Sequence, residues 1–338
     1  MLLKKCVKFF ILSVVFCSFK NLEVIRRRTL KMWKIFLTVT WMISLVNSAQ
    51  ITCRMLGVSC TVINPTIVTQ PNEVITVSGK PLDYVNIVLQ LVKFENAINV
   101  AYVPTGVCKV FPKLSGLSIN NTYSIKLFKD SFANCPHLTY IQIINGNYPT
   151  IPEGFAQSNS KLVYLAIEQT NTIKIDKGVF IGLNSLQYLD IIHNEIQCLP
   201  HDLFRNTPNL IKIDLSNNQI TAIDQNLFKN LEFLYSVNLR FNMIKTLPSL
   251  VLPQTSMSAL TNGLIFYFEM NQITSISPEI CSILASRVQY TELNVALNPC
   301  IQTISNINLS YCDIQEFLKY LQNCHIQWSP TAYVPMQC

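Results

Sequence analysis

Leu114, Leu138, Leu162, Leu186, Leu210 and Leu234 follow one another at intervals of 24 residues. A spacing kept over five consecutive intervals means one unit copied along the chain, each copy unable to bury its apolar side without its neighbours. Counting each leucine as position 1, apolar residues recur at positions 4, 6 and 11, often with Asn at 9. The clearest copies run through Leu186, Leu189, Ile191, Asn194 and Ile196, and through Leu210, Ile213, Leu215, Asn218 and Ile220. Weaker copies begin at Leu89, Gly263 and Tyr290, which makes nine units.

The alternation over positions 3 to 7 predicts a short strand in every unit, and parallel copies stack about 4.8 Å apart into one sheet. Phe132, Phe155, Phe180, Phe204 and Phe228 recur at a phase that points inward from the side opposite the strands, so they are read as a structural spine. Asn194, Asn218, Asn242, Asn271 and Asn298 fall in the bend after the strand. There a buried amide can bond the backbone of the neighbouring repeat and satisfy groups that would otherwise be orphaned. The first four units carry Ala97, Thr122, Gly146 and Thr170 at that place, which predicts a less regular and less stable amino-terminal half.

On these motifs the chain resembles the extracellular leucine-rich-repeat family of the 24-residue class, found in Toll-type ectodomains and secreted insect proteins. The resemblance implies an α/β solenoid: a curved leucine-rich-repeat horseshoe with a parallel concave sheet of about nine strands and cysteine-containing caps. It also implies extracellular recognition, with innate immunity as the setting.

Charge and leader agree with an extracellular route. Nine of the 26 basic residues and one of the 19 acids lie in residues 1–49, so the remaining 17 basic and 18 acidic residues leave a body near −1. Phosphate-backbone binding needs several Lys or Arg contacts, so no nucleic-acid partner is expected. Two apolar runs, 9–19 and 35–46, are each shorter than the ~20 residues that span a bilayer. The second follows Met32 and Lys34 and ends in Asn47-Ser48-Ala49, as a cleavable secretory signal does. The expected layout is an upstream extension (1–31), a signal peptide (32–49), an amino-terminal cap (50–88), leucine-rich repeats (89–299), a carboxyl-terminal cap (300–324) and a tail (325–338). The mature product is expected to be secreted, with no membrane span after cleavage.

Ten of the 12 cysteines follow the leader, a usage that suits an oxidising compartment. The expected pairs are Cys53 with Cys60, Cys108 with Cys135, and two bonds among Cys281, Cys300, Cys312 and Cys324, whose three connectivities stay open. Cys198 is expected to be a small buried thiol; for Cys338 a cap bond or a free thiol is expected, with an intermolecular disulfide as the alternative. Asp313 caps an expected short helix over 314–321 that covers the last repeat. Asn120 and Asn308 head glycosylation sequons.

Enzyme motifs are absent: there is no glycine-rich phosphate loop, no histidine pair at metal-ligand spacing and no nucleophile elbow, and no cofactor is expected. His193, Cys198 and Asp190 belong to repeat positions that point in different directions. The informative residues are those at positions 3, 5 and 7 of the strands, which face away from the core and which the repeat does not dictate. They place Tyr140, Tyr164, Tyr188 and Lys212 in one row, Gln142, Asp190 and Asp214 beside it, and Glu168 and Arg240 beyond. Tyrosine offers a large amphipathic contact at little rotamer cost, and it also packs well across strands, so the row reads equally as contact patch or as ladder. The expected function is a non-enzymatic binding protein that takes a protein or glycan ligand on its concave face, alone or as a homo- or hetero-dimer with another leucine-rich-repeat chain. A cell-adhesion or matrix module is the alternative.

Overall fold

The computed structural model describes residues 49–56, 59–63, 75–78, 91–95, 102–103, 105–122, 126–252, 264–277, 279–280, 292–299 and 307–308. Residues 1–48, the carboxyl-terminal cap apart from 307–308, the tail, and the cysteines Cys281, Cys300, Cys312, Cys324 and Cys338 lie outside them, as does the side chain of Asn308.

Among the described residues thirteen strands form one sheet, and its middle is a parallel solenoid. The nine repeat strands are Leu91–Glu95, Gly116–Thr122, Tyr140–Gly146, Tyr164–Glu168, Tyr188–Asp190, Lys212–Asp214, Ser236–Asn238, Ile265–Tyr267 and Glu292–Asn294. Their register repeats the spacing of the sequence: Tyr140 lies beside Tyr164, Tyr164 beside Tyr188, Tyr188 beside Lys212, and Lys212 beside Ser236. The longer steps to Ile265 and Glu292 keep the same register. Ser59–Ile63 pairs in parallel with Leu91–Glu95 and antiparallel with Ala49–Leu56, so a hairpin closes the amino-terminal edge of the sheet. Ala49–Leu56 in turn pairs in parallel with Ile75–Ser78, the last strand at that end of the sheet.

The core lies between the strands and the returning segments. Val92, Leu117, Ile141, Leu165, Leu189, Ile213, Val237, Phe266 and Leu293 are all fully buried, one from each strand at position 4. Opposite them the phenylalanine spine is buried throughout. Phe132 meets Phe155 edge-on with centroids 6.0 Å apart, and Phe180, Phe204 and Phe228 stack in succession at 6.1 Å. Burying each such ring stabilises by about 1.5–3 kcal/mol.

The asparagines do what their position predicts. Asn242 is buried; its Oδ1 accepts from the Ile220 N–H at 3.0 Å and its Nδ2 donates to the Leu215 carbonyl at 3.0 Å, both in the preceding repeat. Asn218, Asn271 and Asn298 repeat the pattern toward Ile196, Ile244 and Ile273. Asn194 instead accepts from the backbone of both Thr170 and Thr172, and from the Thr170 hydroxyl.

Among the described residues the earlier units differ in strand length. Where the amide is missing, the strand pairing runs on: Gly116–Thr122 and Tyr140–Gly146 are each seven residues long, against three in the central repeats, and Thr122 pairs with Gly146. Backbone replaces side chain as the partner for the bend. Gly146 is required there, because a Cβ would sit 2.0 Å from the Tyr148 ring.

Cys108, in the helical turn Val107–Val110, is bonded to Cys135 across 5.3 Å between Cα atoms, as expected. Cys60 is also disulfide-bonded. Cys198 is a correction: it is half-buried and disulfide-bonded, not a buried free thiol, because its place in the loop after Ile196 leaves the sulfur at the surface of the solenoid and not inside it. No helix among the described residues is long and apolar enough to cross a membrane.

Candidate functional site

The open face of the sheet brings the expected residues together. Strand alternation puts Tyr140 and Tyr164 side by side, and their rings stack with centroids 5.0 Å apart and planes within 7°. The Tyr164 hydroxyl donates to Asp190 Oδ2 at 2.6 Å, one strand further on. Two of the three tyrosines are therefore engaged with their neighbours and half-buried. Tyr188 is in register with Tyr164 and 38% exposed. Lys212, next in the row, is exposed too.

Small residues let the large ones close over them. Ala166 lies between Gln142 and Asp190 in the row and is fully buried. Gln142 accepts from the Ser118 hydroxyl at 3.0 Å and is itself hydrogen-bonded to Glu168. Burial pushes the Glu168 and Asp190 carboxyls up from their ordinary values; the bond from Tyr164 and the charge of Lys212 partly offset this for Asp190. Burial first, and the bond to Asp190 second, raise the Tyr164 hydroxyl, so it stays protonated and remains a donor. Tyr140 is raised by burial and by the neighbouring Glu168 and Asp190 charges.

A second cluster follows. Asp214 accepts from the Ser216 hydroxyl at 2.6 Å and from Asn238 Nδ2 at 2.8 Å. Arg240 lies 4.2 Å above the Tyr267 ring centroid, and its Nη2 donates to Glu269 Oε1 at 2.5 Å. Glu269 is buried and raises the Arg240 guanidinium further above its usual value, fixing it as a cation. Tyr267 and Glu269 were not singled out in the sequence because they belong to the irregular 29-residue step between Ser236 and Ile265. Asn120 is half-buried at the amino-terminal end of this face, where its Oδ1 accepts from Asn145 Nδ2.

On this face the Asp190 and Asp214 carboxylates are bonded to donors one strand away, and Cys198 is disulfide-bonded. A stack of parallel strands with a phenylalanine spine and an asparagine ladder defines a leucine-rich-repeat solenoid. Residues 160–219 match the family model described as leucine rich repeat. No curated protein sequence matches the chain significantly. Among solved structures the chain is similar to the TLR13–ssRNA13 complex, with a TM-score of 0.53 at 16% identity over 76% of this chain, and it spans only 36% of the length of that one. It is also similar to the APL1 leucine-rich repeat domain (TM-score 0.48, 17% identity, 74% of this chain and 71% of that one). The LRIM1/APL1C complex gives a TM-score of 0.49 at 16% identity, over 74% of this chain and 48% of that one. Because TLR13 was solved with single-stranded RNA, the fold does not exclude a nucleic-acid ligand, and the exclusion drawn from net charge is corrected to that extent.

Proposed function

We propose that this chain is a secreted, non-enzymatic leucine-rich-repeat protein that recognises an extracellular protein or glycan through the open face of its sheet, in innate immune recognition. The observation that carries the reading is the ordered polar and aromatic face from Tyr140 to Glu269. Its side chains are held by neighbours one strand away, so little entropy is lost when a ligand docks on it. Disulfide-bonded Cys60, Cys108, Cys135 and Cys198 suit an oxidising compartment, which supports the secretory reading of the leader.

Tyr188 and Lys212 are the contacts to test first, since both are exposed while Tyr140 and Tyr164 also support the sheet. Wild-type secreted protein and a Y188A/K212A variant serve as baits in the extracellular fluid of the source organism. A protein or glycan held by the wild type and lost from the variant is the expected result. Equal retention by both baits refutes this face, and recovery of RNA in place of protein or glycan refutes the ligand class.

A further inference from the structure

Cys198 is disulfide-bonded, and the neighbouring repeats hold no cysteine that could be its partner. It stands at position 13 of its repeat, where Thr150, Lys174 and Thr246 are exposed, so its side chain leaves the solenoid at the surface. One repeat to either side, the same place holds Lys174 and Ala222. Bonded cysteines have Cα atoms at most ~7 Å apart, and repeats are stacked about one strand spacing, ~4.8 Å, apart. A cysteine fixed two or more repeats away is therefore out of range.

Distance removes most candidates. Cys108 and Cys135 are bonded to each other. Cys60 lies five strands, ~24 Å, from Tyr188–Asp190, and Cys53 lies on the strand beyond it. Toward the other end, the Thr221 N–H donates to the Gln197 carbonyl at 3.2 Å, Lys245 to Thr221 at 3.3 Å and Thr274 to Lys245 at 3.0 Å. Ser275 is thus three repeats, ~14 Å, from Cys198, and Cys281 follows buried Ile280 in that same repeat. Asn298 accepts from the Ile273 N–H, which puts Cys300, two residues on, a fourth repeat away. Ile307–Asn308 pairs with Glu292–Asn294 at the far end of the sheet, five strands from Tyr188–Asp190. Cys312 follows Asn308 by four residues, at most ~14 Å of chain, and falls short of Cys198 as well.

Cys324 and Cys338 are left. Cys281, Cys300 and Cys312 need a fourth sulfur to pair evenly, and Cys324 comes three residues after the expected helix 314–321 on the last repeat. Cys338 lies 17 residues beyond Leu321, up to ~58 Å of extended chain against ~24 Å to cover. We propose that Cys198 is bonded to Cys338, so that residues 325–338 are a strap tying the carboxyl-terminal end to the repeat that starts at Leu186. Under the secretory reading above, on which this pairing rests, Cys6 and Cys17 leave with the leader. As the bond forms, two thiols give up two electrons and two protons to the disulfide of a secretory-compartment oxidoreductase, which leaves as a dithiol. Each repeat touches only its neighbours, so the strap joins units that otherwise share no contact. It also occupies Cys338, so pairing with another leucine-rich-repeat chain proceeds without an interchain disulfide at that residue.

The test uses the full secreted chain, alkylated without reduction and cut with chymotrypsin, whose cleavage after Trp328 and Tyr333 separates Cys338 from Cys324. Mass spectrometry should find a Cys198 peptide joined to a Cys338 peptide, the pair vanishing on reduction. In C198S and in C338S the abandoned sulfur should become alkylated, at about one free thiol per chain, against none in the wild type. If neither variant is secreted, the wild-type map decides alone. Cys198 joined to Cys324 or to any other cysteine of residues 50–338 overturns the pairing. So does an alkylated Cys198, or Cys338 joined to a second chain on a non-reducing gel. Cys198 joined to Cys6 or Cys17 overturns it too, and amino-terminal sequencing of the same protein then shows that the leader was retained, which separates a failure of the secretory reading from a failure of the strap.

Discussion

Removing two asparagines of the ladder should cost more than the sum of removing each. The Leu215 carbonyl accepts from Asn218 Nδ2 at 3.1 Å and from Asn242 Nδ2 at 3.0 Å. N242A leaves the Ile220 N–H without its acceptor but leaves Leu215 with Asn218, and the Leu239 carbonyl keeps its bond from Asn271 Nδ2 at 2.8 Å. One orphaned buried donor costs about 1–3 kcal/mol, and the loss of the bonds to carbonyls that keep a second donor adds about 1 kcal/mol, so ~3 kcal/mol is expected. N218A orphans the Ile196 N–H and also takes the donor from the Ile191 carbonyl, so it should cost about 1 kcal/mol or more beyond N242A. In N218A/N242A the Leu215 carbonyl loses both donors, and the double variant should lie about 1–3 kcal/mol below additivity. Urea unfolding of the four proteins gives the coupling. Amide exchange gives the local effect, with the Ile220 N–H expected to exchange about 100-fold faster in N242A, as 2–3 kcal/mol of lost protection requires. Strict additivity, or an Ile220 amide that exchanges at the wild-type rate in N242A, would refute the argument.

Gly182 has φ of 84° and a Cβ there would lie 2.0 Å from the Gln157 carbonyl oxygen, so G182A should destabilise by at least ~2 kcal/mol, read from thermal unfolding. Asp190 gives a pH dependence. Its carboxyl is raised in the fold, so its contribution favours folding below the ordinary carboxyl value and is lost as pH rises through the raised one. D190N keeps an acceptor for Tyr164 and removes the ionisation, so it should gain on the wild type at pH 7 and match it near pH 3. Denaturant midpoints at both pH values decide this, and a gain that is equal at the two would discard the burial account.

The repeat, its register and its core were legible in the chain because each depends on one local rule applied many times. Leucines 24 residues apart must stack, Phe180, Phe204 and Phe228 share a phase, and an amide in every bend meets the same backbone groups one repeat away. The binding face was legible only as a set of residues. Which tyrosine supports the sheet and which meets solvent depends on reach across strands, and Tyr164 reaches Asp190 because Ala166 beside it is small. The clamp of Arg240 on Tyr267 and Glu269 spans a repeat whose length breaks the period, so no spacing announced it. Sequence period also could not say that the amino-terminal units answer a missing asparagine with longer strands, since backbone partners carry no side-chain signature. The bonded state of Cys198 came from tertiary structure for the same reason: a period assigns a residue to a position, whereas exposure and partner are settled by what the neighbouring copies leave uncovered.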